Sequence, residues 1–310
     1  MSKTKLAIVG SSGYIGAELD FFLKDKYKIT SISSKNKILT LSNKKNLEKV
    51  VLNNDIIIFL SNINSLQENE KYPFKNYKVS ILPLKKICEV ANKLKKKTKI
   101  IYFSSSSVYG LKRGRVFESS KTSPTCNYDF QKILCEKILK KNSSKYLKYT
   151  TLRLGNIYGP SINKPQSKDR GILGQIIMSA IIKNKIYIYG TGNYYRNYLY
   201  IKDLINLIAL IIKKNIFNNE IYNVGSEKSI TLKELFFLIA KKISKKIKIK
   251  ITVQNKNWPK NSFIIEKRNY KLSCAKLQKD LNWRSSTTII KGINNYINYF
   301  LEETKCQPRE

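Results

Sequence analysis

The sequence predicts a doubly wound α/β fold, in which helices cover both faces of a parallel sheet. Two observations carry this prediction: strand and helix patterns alternate through the first half of the chain, and a glycine-rich turn joins the first apolar strand to the first helix. Such alternation is typical of parallel strands joined by crossover helices. After about residue 160 the pattern is less regular, and we expect a smaller α/β lobe there.

Short apolar runs predict buried strands, and longer runs with helical periodicity predict helices. The first strand is wholly apolar, and the helix after it begins directly behind a glycine-rich turn. Several later helices end in lysines, which complement the negative end of the helix dipole. In chain order the predicted elements of the first half are strand 6–9, helix 14–23, strand 29–33, helix 44–52, strand 55–60, helix 81–94, strand 99–104, helix 127–141 and strand 149–154.

The second half begins with a polar stretch over residues 161–170 that is rich in Asn, Lys and Pro. The segments behind it again alternate between apolar strand-like runs and amphipathic helical runs. They predict helix 172–182, strand 186–189, strand 197–201, helix 204–212, strand 221–224, helix 232–243, strand 247–253 and a closing helix 289–301.

The chain is strongly basic, with 59 Lys+Arg against 21 Asp+Glu among 310 residues and a formal net charge of +38. A basic protein raises the possibility of a nucleic-acid partner. Here, however, the excess is scattered lysine that accompanies an excess of Ile, Asn and Tyr, as A/T-rich codons would produce. We therefore expect no specific nucleic-acid partner, and attraction instead for polyanionic small molecules such as nucleotide diphosphates.

Metal and disulfide chemistry are not indicated by the cysteine and histidine content. The five cysteines form no C-x-x-C pair and the chain has no His, so no metal site and no disulfide framework is expected. The absence of His leaves general-base chemistry to Tyr, Lys or a carboxylate. No stretch of eighteen apolar residues and no signal peptide is recognised, so we expect a cytoplasmic protein without a membrane partner.

A phosphate-binding turn is predicted by Gly10-Ser-Ser-Gly13-Tyr-Ile-Gly16, directly after the first strand. Glycines allow the backbone to approach a pyrophosphate, and the amino end of the next helix points its N–H groups at the negative charge. The predicted dinucleotide contacts in this turn are Gly10, Ser12, Gly13, Tyr14, Ile15 and Gly16.

A base and its activator are predicted by Tyr128 and Lys132, which lie one helical turn apart on the helix 127–141. An ammonium near the phenol favours the ionised form and lowers a pKa that starts near ~10. Ser105 precedes Tyr128 by 23 residues and follows a strand, so its hydroxyl lies at the carboxyl edge of the sheet, where it can donate and accept. The alternative interpretation of Ser105 is that it belongs to an ordinary polar loop. The alternative interpretation of Tyr128 is that it is one of many amphipathic aromatic residues without a catalytic role.

Together these motifs resemble the extended short-chain dehydrogenase/reductase family, in its branch of NAD-dependent epimerases and dehydratases that act on nucleotide sugars. The resemblance covers nearly the whole chain. Its other motifs are Ser104-Ser-Ser-Ser-Val-Tyr-Gly110, Leu152-Arg-Leu-Gly-Asn156-Ile-Tyr-Gly-Pro160, Gly190-Thr-Gly-Asn-Tyr-Tyr-Arg196-Asn-Tyr-Leu-Tyr-Ile-Lys-Asp203, Tyr222-Asn-Val-Gly225 and Leu281-Asn-Trp283.

The resemblance implies a Rossmann-type domain over about 1–160 that binds NAD or NADP. It also implies a smaller α/β lobe over about 161–310 that mainly binds substrate, with some elements returning to the first domain. The implied catalytic residues are Ser105, Tyr128 and Lys132, and Tyr128 and Lys132 also contact the nicotinamide ribose. The other cofactor contacts implied beyond the glycine turn are Ser33, Ser34, Lys35, Leu60 and Ser61.

Substrate contacts are likewise implied by the resemblance. Arg196 matches an arginine that grips the diphosphate of a nucleotide sugar, a role suited to a planar and permanently charged fork. The alternative interpretation is that Arg196 is an ordinary surface arginine. The other implied substrate contacts are Ser106, Asn156 and Arg268.

Two departures from the family pattern bear on function. Members of the family that prefer NAD carry an acidic residue after the second strand, whereas Ser33-Ser34-Lys35 contains none. The resemblance to the family therefore favours NAD as the cofactor, but the missing acid means that NADP could also bind. Dehydratases carry an Asp-Glu pair after the catalytic Ser or Thr, where this chain has Ser106 and Ser107.

We therefore predict a homodimeric nucleotide-sugar epimerase that transiently oxidises a sugar hydroxyl, with dimer contacts through the helices 81–94 and 127–141. The alternative within the family is an NADPH-dependent reductase of a 4-keto nucleotide sugar, which would use the same three catalytic residues in one direction. A non-catalytic nucleotide-sensing or RNA-associated relative is the alternative from a different functional class.

Overall fold

The computed structural model describes residues 3–33, 43–162 and 171–305. Within these ranges the strands are β1 (Lys5–Val9), β2 (Lys28–Ile32), β3 (Ile56–Phe59), β4 (Thr98–Ser105), β5 (Arg113–Val116), β6 (Leu147–Leu154), β7 (Asn156–Tyr158), β8 (Lys185–Tyr189), β9 (Tyr195–Arg196), β10 (Tyr198–Tyr200), β11 (Glu220–Val224), β12 (Ile230–Thr231), β13 (Thr252–Lys256) and β14 (Asn269–Leu272).

The α-helices of the described residues are α1 (Tyr14–Leu23), α2 (Lys44–Asn53), α3 (Leu66–Lys71), α4 (Pro73–Asn76), α5 (Leu82–Lys93), α6 (Asn127–Asn142), α7 (Gly171–Lys183), α8 (Ile201–Lys214), α9 (Leu232–Ile247), α10 (Ala275–Leu281) and α11 (Ile289–Lys305). A π-helical turn joins α4 to α5, and a short 3₁₀ turn over Ser106–Tyr109 follows β4 directly. None of these helices is long and apolar enough to cross a bilayer.

The chain forms two compact units. The first comprises Met1–Gly110, Glu118–Leu154 and Ile205–Asn223, and the second comprises Leu111–Phe117, Gly155–Leu204 and Val224–Glu310. The chain thus crosses between the units more than once. The assignment of cofactor binding to residues 1–160 and of substrate binding mainly to 161–310 stays a prediction.

The first unit is built on a six-stranded sheet in the order β11-β6-β4-β3-β1-β2. The pairs between β2, β1, β3, β4 and β6 are parallel. The chain proceeds from β1 to β2 on one side and from β3 to β4 on the other, so the strand order reverses between β1 and β3. Ligands bind at the carboxyl ends of the strands at such a switch point. The predicted Rossmann-type, doubly wound fold is confirmed.

The core of this sheet is continuous because its central strands are apolar on both faces. Every residue of β3 is buried, and so are the last four residues of β1. Buried residues of α2 and α5, including Leu47, Leu84 and Ile87, cover one face of the sheet. Strands of a parallel sheet covered on both faces read as unbroken apolar runs, which is why these elements were predicted from the sequence.

The second unit consists of two-stranded sheets packed with helices. The pairs are β10-β7, β12-β9, β13-β8 and β14-β5. Its apolar core takes residues from α7, α9 and α11, including Ile177, Ile239 and Ile297, together with the aromatic rings of Tyr158 and Tyr198. The predicted smaller α/β lobe therefore has its own hydrophobic core.

Three sequence predictions of local structure were wrong or incomplete. The segment predicted as strand 247–253 begins in helix, because α9 continues to Ile247; Lys248 then ends the helix with a left-handed φ of 58°, and the strand starts at Thr252. The end of the predicted strand 197–201 is helical, since α8 already begins at Ile201. The sequence prediction also missed several short elements, namely α3, α4, α10, β5, β7, β9, β12 and β14.

Candidate active site

The glycine turn adopts a backbone that side chains would prevent. Gly10 has a φ of 96°, and a Cβ on it would lie 3.1 Å from the backbone nitrogen of Ser61. A Cβ on Gly16 would collide with the carbonyl oxygen of Gly10, so α1 can begin against the end of β1 only if this residue is glycine. The turn is held by hydrogen bonds from the Gly10 and Ser11 N–H groups to the carbonyl of Ile32.

The amino end of α1 fits an anionic ligand. Its N-cap residue is Gly13, no side chain caps this end, and its first turn contains no acid. Uncapped N–H groups at a helix start attract a phosphate through both hydrogen bonding and the helix dipole. The turn can therefore hold the pyrophosphate of a dinucleotide, which is the role predicted for it.

Three of the other predicted cofactor contacts belong to the described residues, and they lie at the same edge of the sheet. Ser33 directly follows β2, and Leu60 and Ser61 follow β3. The Leu60 N–H donates to the carbonyl of Val9, which ties the end of β3 to the end of β1. The predicted contacts Ser34 and Lys35 lie outside the described residues.

A buried amide cluster, not predicted from the sequence, shapes the loop after β3. Asn76 and Asn69, both fully buried, hydrogen-bond each other. Asn69 Nδ2 donates to the carbonyl of Ile63 at 2.7 Å, and Asn76 Oδ1 accepts from the N–H of Ile63 at 3.2 Å. Ser80 Oγ also donates to Asn76 at 2.6 Å. Buried amides with this many partners hold the loop in one conformation at the sheet edge.

Helix α6 carries Tyr128 and Lys132, and the lysine side chain is buried. Lys132 Nζ donates to the carbonyl of Phe103 in β4 at 2.7 Å and lies 5.5 Å from the centre of the Tyr128 ring. Burial lowers the pKa of Lys132 from 10.5 to about 8, although the nearby Cys135 and Glu136 act in the opposite direction. The ammonium is thus held at the carboxyl end of β4, beside the phenol it is predicted to activate.

A chain of hydrogen bonds joins Ser105 to the residue next to Tyr128. Ser105 Oγ and Ser107 Oγ are 2.7 Å apart, and the N–H of Ser107 donates to Ser105 Oγ at 3.1 Å. The Ser107 hydroxyl donates in turn to the carboxylate of Asp129. No role for Asp129 was predicted from the sequence, because an acid in the first turn of a helix is common.

The position of α6 depends on a buried ion pair. Arg153 of β6 meets Glu136 of α6 through two parallel bonds, Nε to Oε1 at 3.0 Å and Nη2 to Oε2 at 2.7 Å. Both side chains are 6% exposed. Ser104 Oγ of β4 donates to the same carboxylate at 2.6 Å, so Glu136 joins α6 to two neighbouring strands.

The arginine of this pair extends the network to Tyr109. Arg153 Nη1 donates to Tyr109 Oη at 3.0 Å, and that hydroxyl donates to Asn223 Oδ1 at 2.7 Å. Burial raises the pKa of Tyr109 to about 12, against the lowering effect of Arg153. The pKa of Arg153 is raised above its ordinary value, since the hydrogen bond and charge of Glu136 outweigh the lowering effect of burial.

The start of α6 is fixed by a residue from α3. Glu70 accepts hydrogen bonds from the backbone N–H and the side-chain amide of Asn127, each at 2.7 Å. A carboxylate at a helix start satisfies a free N–H group and complements the positive end of the dipole. Glu70 therefore anchors the turn that carries Tyr128.

The predicted substrate residues of the second unit form a cluster of their own, whereas Ser106 follows β4 in the first unit. Asn156 Nδ2 donates to the carbonyl of Asn197 at 3.1 Å, and Arg268 Nη2 donates to Asn156 Oδ1 at 3.4 Å. Arg268 is half-buried.

Arg196 is held mainly by backbone carbonyls. Its Nη1 donates to the carbonyls of Tyr195, at 2.9 Å, and of Arg268; its Nη2 donates to the carbonyl of Glu266 at 2.5 Å. Burial, together with the charge of Arg268, lowers the pKa of Arg196 to about 9. Its contacts in the structure are those of an arginine that shapes the chain around it, while its predicted contact with a diphosphate stays a prediction.

The comparison with known families agrees with the motifs that build this site. Residues 6–225 match the pattern of the NAD dependent epimerase/dehydratase family, a span of well over half of the chain. The chain belongs to this family. Because the family is NAD dependent, the predicted nicotinamide cofactor is confirmed at the level of the family.

Individual relatives of the family are distant from this chain. A dTDP-D-glucose 4,6-dehydratase from Dictyostelium discoideum is 28% identical over 264 residues, which cover 73% of this chain but only 59% of that protein. An uncharacterized UDP-glucose epimerase from Bacillus subtilis is 24% identical over 325 residues, covering 95% of this chain and 97% of that protein. The structure of UDP-glucose 4-epimerase from Thermotoga maritima, solved with UDP-glucose, superposes with a TM-score of 0.81 at 21% identity, covering 97% of this chain and 100% of that chain.

The Glu136–Arg153 pair predicts a large and specific loss of stability. Replacing Arg153 by Met leaves the Glu136 carboxylate buried without its cation, and we expect the free energy of unfolding to fall by about 3–5 kcal/mol in urea titration. Adding Glu136→Gln to that variant should restore part of the loss. The control is Arg284→Met, which removes an ion pair to Glu227 whose side chains are 63% and 53% exposed, and it should cost less than about 1 kcal/mol. Equal losses in the two single variants would contradict the structural role given to Arg153.

Buried Lys132 predicts a pH dependence of stability. Its pKa is about 8 in the folded chain against 10.5 ordinarily, so between those values the unfolded chain binds more protons and the contribution of Lys132 to stability rises with pH. Below about pH 8 the folded state bears the full cost of the buried charge, about 3 kcal/mol. Lys132→Met should therefore be more stable than the unsubstituted protein at pH 7, with the difference shrinking toward pH 10. Urea titrations without cofactor check this, with exposed Lys137→Met as the control. A difference between Lys132→Met and the parent that does not vary with pH would refute the lowered pKa.

Proposed function

We propose that the protein is a nucleotide-sugar epimerase that transiently oxidises a sugar hydroxyl with bound NAD or NADP. The observation that carries this proposal is the buried Lys132 ammonium, held by the Phe103 carbonyl 5.5 Å from the centre of the Tyr128 ring. A fixed positive charge beside a phenol stabilises the phenolate, and a phenolate is the base that oxidation of a hydroxyl requires.

The proposed chemistry assigns one proton and one hydride to each half-reaction. The Tyr128 oxygen takes the proton of the sugar hydroxyl while the carbon under that hydroxyl gives up its hydrogen as a hydride, with two electrons. A nicotinamide dinucleotide, which the glycine turn at Gly10–Gly16 together with Tyr128 and Lys132 would hold, would supply the acceptor and later the donor of this hydride. Tyr128 then gives its proton back to the keto oxygen, and return of the hydride to the opposite face of the carbon inverts it. Ser105 holds the reacting oxygen in place, and Lys132 keeps the charge that Tyr128 needs.

The substrate class is proposed from charge and from the relatives. The Thermotoga maritima neighbour is a UDP-glucose 4-epimerase solved with UDP-glucose, and the Bacillus subtilis relative is named a UDP-glucose epimerase. The net charge of +38 favours binding of a doubly anionic diphosphate. Arg268 and Asn156 are the proposed polar contacts of the sugar nucleotide.

A reductase of a 4-keto nucleotide sugar remains the second candidate, because residues 33–35 contain no acid that would favour NAD over NADP. The two functions differ in how the cofactor is used. An epimerase regenerates its cofactor in each cycle and retains it, whereas a reductase exchanges it. Mass spectrometry of the small molecules released by denaturing the purified protein discriminates them: retained NAD supports the epimerase, and an exchangeable NADP supports the reductase.

A cytoplasmic homodimer is part of the proposal. Phe130 and Leu134, at adjacent turns on one face of α6, are 56% and 42% exposed. Exposed apolar side chains at neighbouring positions favour contact with another protein surface. A second copy of this chain, meeting it through α5 and α6, is the proposed partner.

Removing the Tyr128 hydroxyl tests the base directly. Tyr128→Phe should lower kcat for epimerisation of a UDP-sugar by a factor on the order of 10² to 10⁴, the usual contribution of general acid–base catalysis. The affinity for the dinucleotide, measured by calorimetry, should change little, because the ring is kept. Tyr146→Phe, which removes a hydroxyl elsewhere in the first unit, is the matched control. A Tyr128→Phe enzyme that keeps more than half of the parent's turnover would exclude this mechanism.

Dehydration of the sugar should be absent. Elimination of water from a keto sugar needs an acid for the leaving hydroxyl and a base for the neighbouring proton, and Ser106 and Ser107 stand where dehydratases carry Asp and Glu. Asp129 is fully buried behind Ser107 and so is not available to the sugar. Incubation with dTDP-glucose, GDP-mannose and UDP-N-acetylglucosamine should give no product that has lost one water, as followed by mass spectrometry. Such a product at enzymic rates would overturn the epimerase assignment.

A further inference from the structure

The side chain of Asn197 pairs with backbone groups rather than with another side chain. Its Nδ2 donates to the carbonyl of Ser226 at 2.8 Å, and its Oδ1 accepts from the N–H of the same residue at 2.8 Å. A carboxamide has one donating and one accepting end, so it satisfies both of these backbone groups at once. Asn197 is 5% exposed, and a buried polar group left without a partner is costly. The amide of Asn197 is therefore clamped to the loop after β11.

Two glycines allow the chain to approach Asn197 closely. A Cβ on Gly225 would collide with Asn197 Oδ1, and a Cβ on Gly155 would lie 3.0 Å from the Asn197 carbonyl oxygen. Neither glycine has a left-handed φ. The need for a small residue at these positions thus comes from the approach of Asn197 and not from the backbone conformation.

The backbone carbonyl of Asn197 holds Asn156, one of the proposed substrate contacts. It accepts from the Asn156 N–H at 2.8 Å and from Asn156 Nδ2 at 3.1 Å. At the other end of the same side chain, Arg268 Nη2 donates to Asn156 Oδ1 at 3.4 Å. The Asn156 amide is thus oriented, with its nitrogen toward Asn197 and its oxygen toward the guanidinium. Nδ2 carries two hydrogens, so one remains that can donate to a ligand.

We propose that Asn197 is a positioning residue of the substrate site. By clamping Ser226, the side chain keeps its own carbonyl in the place from which that carbonyl orients the Asn156 amide. The inference rests on the proposed function, in which Asn156 and Arg268 contact the sugar nucleotide, and deepens it. In this orientation the Asn156 oxygen is taken by Arg268 while an N–H remains, so the cluster suits a substrate oxygen that only accepts, such as that of a phosphate.

The first test measures affinity for UDP-glucose by calorimetry on the NAD-loaded protein. Asn197→Ala removes the clamp without adding a charge and should weaken UDP-glucose binding by at least about tenfold, as expected when a hydrogen bond to a charged group is misplaced. KM should rise by a similar factor while kcat stays within about threefold, because the reacting groups are Ser105 and Tyr128. The affinity for the dinucleotide should not change. The matched control is Asn193→Ala, which removes an exposed amide of the same unit and should leave both affinities within about twofold.

A double-mutant cycle distinguishes positioning from a merely structural role. If Asn197 acts through Asn156, its effect should disappear once Asn156 is itself replaced. Adding Asn197→Ala to Asn156→Ala should therefore change UDP-glucose affinity by less than about twofold. Gly225→Ala displaces an intact Asn197 amide and should reproduce the loss caused by Asn197→Ala. Independent, multiplying losses from Asn156→Ala and Asn197→Ala, or a Gly225→Ala protein with the parent's affinity, would overturn the proposal.

A second measurement needs no substrate and keeps the inference separate from the proposed function. Amide hydrogen exchange of the unliganded protein, followed by NMR, reports the Asn156 N–H directly. Its acceptor is the backbone carbonyl of Asn197, which Asn197→Ala retains, so faster exchange at Asn156 by about tenfold or more shows that the side chain holds this carbonyl in place. Unchanged exchange at Asn156 would overturn the inference even if the enzyme epimerises sugars. If the parent does not bind UDP-glucose, the proposed function fails, while the exchange rates still decide whether Asn197 positions Asn156.

Discussion

The buried pair of Glu136 and Arg153 is the interaction on which the geometry of α6, the helix that carries Tyr128 and Lys132, depends. Its carboxylate is shared between Arg153 of β6 and Ser104 of β4, so one side chain of α6 is bound to two adjacent strands. Lys132 lies one turn earlier on the same helix and is fixed to the Phe103 carbonyl. A helix bound at two successive turns to one sheet has little freedom to rotate or slide. The phenol of Tyr128 is therefore positioned by contacts made one and two turns further along α6.

The two buried cations that contact this helix have pKa shifts of opposite direction, because only one of them meets a carboxylate. Arg153 meets a carboxylate through two bonds and remains charged, whereas Lys132 meets a neutral carbonyl and has a lowered pKa. The ordinary cost of removing an ammonium from water is thus only partly offset around Lys132. A cation that its protein neighbours compensate poorly is one that a phenolate, or the hydroxyl groups of a ribose, can stabilise. This is the electrostatic property expected of a group that acts during catalysis rather than in folding.

Much of the fold could be predicted because apolar periodicity reports it directly. The inner strands β1 and β3 of the large sheet are apolar runs, and the glycine turn and the Tyr128–Lys132 spacing are local patterns. The missed features depend on contacts between residues far apart in the chain. Asp129 resembled an ordinary first-turn acid, and its link to Ser105 through Ser107 exists only after β4 and α6 pack together. In the same way, sequence alone does not show that the Arg196 guanidinium is occupied by carbonyls from residues 266 and 268. The error at residues 247–251 has a local cause, since alternating Ile and Lys there fit either a strand or the end of a helix.

The fork of hydrogen bonds at Arg153 also limits which basic residue can occupy position 153. Only eight of the 59 basic residues are arginine, as codons rich in A and T favour lysine. A lysine at position 153 would offer one compact charge, which cannot engage both oxygens of Glu136 and the Tyr109 hydroxyl in the same geometry. The preference for lysine over arginine in the rest of the chain therefore meets a geometric constraint here. At this position the two basic side chains are not interchangeable, and the arginine is required by the geometry of its partners.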